Sequence, residues 1–159
     1  MSGEPMARPM EIFIDADACP VKDEVYRVAE RHRLKVRVVA NAYILVPAHP
    51  RIERVVVEAG PDVADDWIAE RVCRGDVVIT SDIPLAERVL RQGAAAIQPN
   101  GRAFTPDSIG SAVAGRAIME QLRSTGTITG GPKPFQRADR SRFLQTLDET
   151  IEREQRRRR

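Results

Sequence analysis

Short segments rich in branched apolar residues alternate along this chain with segments whose apolar residues recur at helical spacing. The predicted strands span residues 10–15, 34–40, 52–57, 76–80 and 94–98. Strands that are apolar throughout are buried on both faces, so the helix that connects each pair has to cover one face of the sheet. The pattern therefore predicts the α/β class, as a three-layer α/β/α sandwich around a mostly parallel sheet of about five strands.

The predicted helices fill the intervals between these strands and the end of the chain. The residues that indicate them fall within 20–33, 63–72, 85–90, 105–123 and 143–151. Because crossover connections are right-handed, the simplest arrangement grows outward from the first strand through the second and third. The fourth strand then returns to the other side of the first. The functional crevice of such a sheet lies where the strand order reverses, beyond the carboxyl ends of the first and fourth strands.

Length and charge indicate one domain with distinct ends. Of the 159 residues, we assign 10–152 to a single domain, 1–9 to a disordered N-terminus and 153–159 to a basic C-terminal tail. Lys and Arg number 25 against 23 for Asp and Glu, and the last four residues are all arginine. The basic excess therefore belongs to the tail, which argues against a broad basic face for duplex nucleic acid but leaves salt-sensitive affinity for a polyanion.

Cysteine and histidine are too few and too scattered for a disulfide framework or a zinc site. The two cysteines are Cys19 and Cys73, and the two histidines are His32 and His49. No stretch is long and apolar enough to span a membrane, and the first residues lack the pattern of a signal peptide. We expect a cytoplasmic protein that does not interact with membranes.

Acidic residues follow the strands that should meet at the crevice. Asp15 and Asp17 come at the end of the first strand, Asp82 follows the fourth, and Asp65 and Asp66 open the helix after the third. Crowded carboxylates raise one another's pKa unless a hard cation neutralises them. These five residues are the predicted ligands of Mg²⁺ or Mn²⁺. Such an ion activates water and offsets charge on a phosphate, so phosphodiester hydrolysis is the leading chemistry, with Asp15, Asp66 and Asp82 as catalytic residues.

Each acid also has a structural explanation. Asp17 can end a loop, Asp65 and Asp66 can complement the positive end of a helix, and Asp82 can cap the helix that follows it. Asp15 is harder to explain in this way, because it directly follows three apolar residues at the centre of the predicted sheet. An acid buried there without a partner would be costly.

Four further residues are candidates for substrate binding. Ser81 follows the fourth strand, and Lys22 lies one turn into the first helix. Lys133, in the glycine- and proline-rich loop at 126–134, and Arg140, which follows it, could close over the acidic edge. That loop lacks the Gly-Lys-Ser/Thr ending of a phosphate loop. Cys19 could be activated at a helix start, but a small buried thiol is the simpler interpretation.

Four ordered motifs resemble those of the YaiI/YqxD family of uncharacterised bacterial proteins. They are DADACPVK at 15–22, ADDWIA at 64–69, TSDIPLA at 80–86 and GGPKPF at 130–135. That family is similar to the PIN-like fold, whose better-known members are metal-dependent ribonucleases. The resemblance implies metal binding by Asp15, Asp82 and one or both of Asp65 and Asp66, with Asp17 as a further ligand.

Three functions compete at this point. The first is a Mg²⁺- or Mn²⁺-dependent nuclease whose partner is single-stranded RNA. The second is a phosphatase of the haloacid dehalogenase type, with Asp15 as nucleophile and Asp17 as acid and base, although Cys19 stands where that motif has Thr or Val. The third is a non-catalytic RNA-binding or regulatory module that retains the fold.

Overall fold

The computed structural model describes residues 8–17, 19–111 and 134–158. Its elements in chain order are β1 (Glu11–Asp15), α1 (Lys22–His32), β2 (Lys35–Ala40), β3 (Ile52–Val56), α2 (Val63–Arg71), β4 (Val77–Ile79), α3 (Ile83–Arg91), β5 (Ala95–Ile97), α4 (helical at residues 106–111) and α5 (Arg137–Arg157). The predicted alternation of strand and helix is confirmed. The rest of the helix predicted to reach Arg123, most of the loop at 126–134, and Lys133 lie outside the described residues.

The five strands form one parallel sheet in the order β3-β2-β1-β4-β5. This is the order expected from right-handed crossovers, with β1 and β4 as neighbours on either side of the point where the order reverses. The register pairs Ile14 with Ile79. Asp15 and Thr80, the next residue of each chain segment, therefore stand side by side where the two strands end.

Helices cover both faces of the sheet, which completes the three-layer sandwich. Successive residues of a strand point to opposite faces. Ile12 and Ile14 belong to the core under α1 and α5, together with Phe143 and Leu147. Phe13, between them, belongs to the core under α2 and α3. All five side chains are fully buried.

Helix α5 extends beyond the apolar residues that indicated it. It begins at Arg137, where the side chains of Gln136 and Asp139 form a capping box, and ends at Arg157. The domain boundary expected at 152 therefore falls inside a helix. The aliphatic part of Glu154 is buried and its carboxylate pairs with Arg157, so the polar last turns are held against the domain. Within the part of the chain described, no helix is both long and apolar enough to cross a membrane.

Gly101 occupies a position that no other residue fits. Its φ of +89° is in the left-handed region, and a Cβ there would lie 2.6 Å from backbone atoms of Arg142 and Phe143 in α5. We expect Gly101→Ala to lower the free energy of unfolding by about 2–3 kcal/mol, because the backbone of α5 would have to move. Urea denaturation measures this. Gly110→Ala is the matched control, since no atom lies within 4 Å of its added Cβ.

The control should raise the free energy of unfolding by about 0.5–1 kcal/mol, because alanine favours a helix more than glycine does. Equal midpoints for the two variants would contradict the close approach of Gly101 to α5.

Candidate functional site

The site begins with a hydrogen bond between the two central strands. Asp15, the last residue of β1, accepts a hydrogen bond at Oδ2 from the Thr80 hydroxyl at 2.8 Å. Thr80 follows β4, is 1% exposed, and its Oγ1 accepts a bond from the backbone N–H of Asp82 at 3.0 Å. Thr80 thus fixes the Asp15 carboxylate at the sheet edge and shapes the turn that leads into α3.

Asp82 and Asp65 meet at the same edge. Asp82 is the N-cap of α3, where its Oδ1 accepts a hydrogen bond from the Leu85 N–H at 2.9 Å. Asp82 therefore caps helix α3, as its structural explanation predicted. Asp65, in the first turn of α2, lies near enough to Asp82 for the interaction between the two carboxyl groups to contribute to the raised pKa of Asp65.

The pKa values of Asp65 and Asp15 are raised, as expected for carboxyl groups that lie close together. Burial raises the pKa of Asp65 to about 7, and the neighbouring charges of Asp82 and Asp15 act in the same direction. Burial also raises the pKa of Asp15, and the nearby Asp17 and Asp82 add to this rise while the Thr80 hydrogen bond opposes it. The edge therefore carries carboxyl groups that repel one another near neutral pH, the situation that a hard cation relieves.

Two of the predicted ligands lie outside this contact. Asp66 is exposed, and its Oδ1 accepts a hydrogen bond from Arg88 of α3 at 2.7 Å. Asp17 is exposed in the turn after β1, where its Oδ2 accepts a bond from the Asn41 side chain at 3.2 Å. The structure thus brings Asp15, Asp65 and Asp82 together. Asp17 lies at the rim of this site, and Asp66 forms a surface ion pair with Arg88.

Of the residues predicted to bind substrate, Ser81 faces a cleft, whereas Lys22 and Arg140 make contacts within the protein. Ser81 is exposed beside Asp82 and lines a cleft. Lys22 donates through Nζ to the Cys19 carbonyl at 2.8 Å, so it holds the loop after β1 together. Arg140 donates to Glu24 at 2.7 Å and to the Pro20 carbonyl at 3.2 Å, and so joins α5 to the start of α1 instead of closing over the acids.

Cys19 is a buried thiol, as the simpler interpretation held. Its side chain is 7% exposed, and burial raises its pKa although the Val21 amide and Lys22 oppose that rise. A thiol with a raised pKa supplies little thiolate at neutral pH. Nucleophilic catalysis by Cys19 gains no support from its surroundings.

The oxygen ligands at the sheet edge suit a magnesium-like ion. Mg²⁺ is usually held by one or two carboxylates and keeps several waters. Across the described ranges, the one set of three metal-ligating side chains whose donor atoms all lie within 4.8 Å of one another is His32, Asp148 and Glu152. The three sheet-edge carboxylates therefore do not all lie within 4.8 Å of one another in the described part of the chain.

The His32 group is a second possible metal-binding set, and it lies away from the sheet-edge acids. Helix α1 starts at the carboxyl edge and ends at His32, close to the amino end of β2. His32 Nε2 contacts Asp148 at 2.7 Å across to α5. Metal measurements on this protein have to separate the two groups.

Thr80 was not among the predicted site residues, and Asp66 was predicted as catalytic where Asp65 was predicted only as a metal ligand. Thr80 was included in the fourth predicted strand, although a hydroxyl at a strand end beside an acid is a signal of its own. In α2, Ala64, Ile68 and Ala69 are the buried residues. Residues three and four apart share a helix face, so Asp65 lies on the face of Ile68 and Ala69. Asp66 lies about 100° further around.

Comparison with known proteins places the chain in a family. The family model described as uncharacterised YaiI/YqxD matches residues 13–153. The chain belongs to the YaiI/YqxD family. All the predicted acids lie inside the matched region, so the resemblance of the four motifs is confirmed. No solved structure matches the chain.

Several bacterial relatives of this YaiI/YqxD protein are similar over nearly their whole length. A UPF0178 protein of Caulobacter vibrioides strain NA1000 is 65% identical over 140 residues, which cover 88% of this chain and 92% of the relative. A UPF0178 protein of Azorhizobium caulinodans is 60% identical over 151 residues, 95% of this chain and 94% of the relative. One of Rhodopseudomonas palustris strain TIE-1 is 61% identical over 147 residues, 92% and 93% of the two chains.

Proposed function

We propose that this protein is a Mg²⁺- or Mn²⁺-dependent nuclease of the PIN-like type that hydrolyses single-stranded RNA. The observation that carries the proposal is the meeting of Asp15, Asp65 and Asp82, from three elements, at the point where the strand order reverses. Ligands and substrates of open α/β sheets bind at that point. The strand order is compatible with a PIN-like fold, and the choice of RNA comes from that resemblance.

The proposed roles follow from the contacts of each acid. Asp15 and Asp82 hold the cation, with Asp15 oriented by Thr80 and Asp82 by the Leu85 amide. We assign the catalytic role predicted for Asp66 to Asp65 instead, because Asp65 lies near Asp82 and Asp15, and with a pKa of about 7 its carboxyl can hold or release a proton near neutral pH. A bound Mg²⁺ or Mn²⁺ would lower the pKa of a water and offset charge on the phosphate.

Substrate contacts and location complete the proposal. Ser81 lies beside Asp82 and lines the adjoining cleft, so it is the best placed of the predicted substrate-binding residues. Lys22 and Arg140 support the loop and helix that border the site, and a role for Lys133 stays a prediction. The proposed location is the cytoplasm, in keeping with Cys19 and Cys73 as free thiols.

Cleavage of labelled single-stranded RNA tests the proposal, with single-stranded DNA and duplex RNA alongside. We expect cleavage with Mn²⁺ or Mg²⁺ and none with chelator. Asp15→Asn and Asp82→Asn should lower kcat by about 100-fold or more, since even residues that only support metal ligands are worth 10–100-fold. Asp65→Asn should lose activity while Asp66→Asn keeps most of it. Asp148→Asn, which disrupts the His32 group, should cleave like the wild type.

Other results would favour the alternatives. RNA binding without cleavage under all metal conditions would support the non-catalytic module. A phosphorylated Asp15 trapped from a phosphomonoester would support the phosphatase. Cleavage that persists in Asp15→Asn purified in parallel would identify a contaminating nuclease and remove support for the proposed site.

A further inference from the structure

A polar cleft of about 670 Å³ adjoins the acidic site at the carboxyl ends of β4 and β5. Ser81, between Thr80 and Asp82, forms the wall nearest the acids. Its lining includes the side chains of Ser81, Gln98, Asn100, Arg102, Phe135 and Arg142. The volume is within the range of about 300–1,000 Å³ that is usual for small-ligand sites. A molecule in this cleft would therefore extend directly to the edge where the carboxylates lie.

The charged groups of the cleft favour an anion. Arg102 and Arg142 line it with a single acidic residue, Asp139, among its described walls. Asp139 is already engaged, because its Oδ2 accepts a bond from the Gln136 N–H at 2.9 Å and its Oδ1 lies 3.4 Å from Arg142. The exposed Arg102 guanidinium makes no hydrogen bond or ion pair with any described residue. Guanidinium groups match the geometry of phosphate oxygens.

The remaining walls offer groups that recognise a base. Phe135 is half-buried, and the Arg140 guanidinium lies 5.0 Å from its ring centroid, which holds the ring in place. The amide side chains of Gln98 and Asn100 follow β5, and Asn100 Oδ1 accepts a bond from the Arg102 backbone N–H at 2.9 Å. Aromatic rings stack on bases and amides bond to base edges. Cationic, aromatic and amide groups thus occur together in one cleft.

We propose that this cleft binds one nucleotide of the substrate strand, the unit next to the phosphate that is cleaved. Arg102 and Arg142 bind its phosphate, and Phe135 with the two amides contacts its base. The proposal rests on the proposed nuclease function and names the chemistry of the substrate unit, a nucleoside monophosphate. Because the cleft contains none of the three carboxylates, its binding can be measured without metal and without cleavage.

Calorimetric titration of the full chain in chelator tests the proposal, with adenosine 5′-monophosphate, adenosine and inorganic phosphate as separate probes. We expect the nucleotide to bind more tightly than either fragment. Arg102→Ala should weaken nucleotide binding by about tenfold, the effect of losing one charge-assisted hydrogen bond. Arg91→Ala is the matched control, because Arg91 is exposed on α3 and pairs with Glu87.

Arg142 also contacts the Asn100 carbonyl, so Arg142→Ala tests the site only if its melting temperature is unchanged. Arg102→Ala has no such structural contact among the described residues and keeps the test decisive. The proposal is overturned if the nucleotide binds no better than phosphate, or if Arg102→Ala and Arg91→Ala bind it equally. It is also overturned if RNA is cleaved and Arg102→Ala leaves KM unchanged.

The two proposals fail in different ways. Nucleotide binding that depends on Arg102, in a protein that cleaves no RNA, supports the cleft and refutes the nuclease. Asp82→Asn should bind the nucleotide in chelator as the wild type does, because Asp82 belongs to the metal site and not to the cleft. For an active enzyme, Arg102→Ala should raise KM for single-stranded RNA and leave kcat unchanged.

Discussion

Replacing Asp76 by alanine should lower the free energy of unfolding by about 3–5 kcal/mol, the usual cost of breaking a buried ion pair from one side. Asp76 is fully buried just before β4. Its carboxylate accepts hydrogen bonds from the Arg8 guanidinium and from the backbone N–H groups of Glu11 and Cys73. Alanine would leave the buried N–H of Glu11 without its acceptor and would also remove the acceptor of the partly buried Arg8 guanidinium and Cys73 N–H.

Urea denaturation followed by circular dichroism measures this effect. Asp66→Ala is the control, because it removes an exposed acid that also pairs with an arginine, and such surface pairs contribute about 0–1 kcal/mol. Asp76→Asn should be intermediate, since an amide oxygen still accepts but carries no charge. A loss of less than 1 kcal/mol in Asp76→Ala would show that the buried donors find other partners.

Asp76 illustrates what the sequence does not reveal. It was predicted simply as the first residue of the fourth strand, because nothing near it in the chain distinguishes a buried acid from an exposed one. Its partners Arg8 and Glu11 come more than 60 residues earlier. Arg8 was even assigned to the disordered N-terminus. A long-range ion pair leaves no local pattern, since neither hydrophobic periodicity nor capping depends on it.

The architecture, in contrast, follows from local patterns. Branched apolar strands alternating with helices fix a parallel sheet, and right-handed crossovers then fix which strands are neighbours. The positions of Asp15 and Asp82 follow in turn, because both residues come directly after adjacent strands. The inward direction of Asp65 depends on the rotation of α2 about its axis. That rotation is set by the burial of Ile68 and Ala69. The spacing of these apolar residues in the sequence therefore indicates the direction of Asp65.

Rising pH should destabilise the metal-free protein, and a divalent cation should reverse the effect. The pKa of Asp65 is raised from 3.8 to about 7 in the folded state, first by burial and then by Asp82 and Asp15. Between about pH 4 and pH 7 the folded protein therefore binds more protons than the unfolded chain, so the free energy of unfolding falls as pH rises through this window. Asp15, whose pKa is also raised, acts in the same direction.

Solvent screening limits the size of the effect, because Asp65 is only partly buried. We expect a loss of about 1–2 kcal/mol between pH 5 and pH 8, well below what the full shift would give at 1.4 kcal/mol per unit. Thermal melts at both pH values measure it. Asp65→Asn should flatten this dependence, and the difference between its slope and that of the wild type cancels the contribution of other titrating groups.

Mn²⁺ or Mg²⁺ should restore stability at pH 8, because an ion that binds only the folded state stabilises it by mass action and offsets the repulsion among carboxylates that have lost their protons at this pH. The comparison is made in Asp148→Asn, so that the His32 group does not contribute. In that background Asp15→Asn should abolish the metal effect yet leave the metal-free protein as stable or more so, since an amide oxygen can still accept the Thr80 hydroxyl and a repelling charge is gone. If Asp15→Asn melts well below its parent without metal, Asp15 is a structural acid, and the metal site at the sheet edge has to be abandoned.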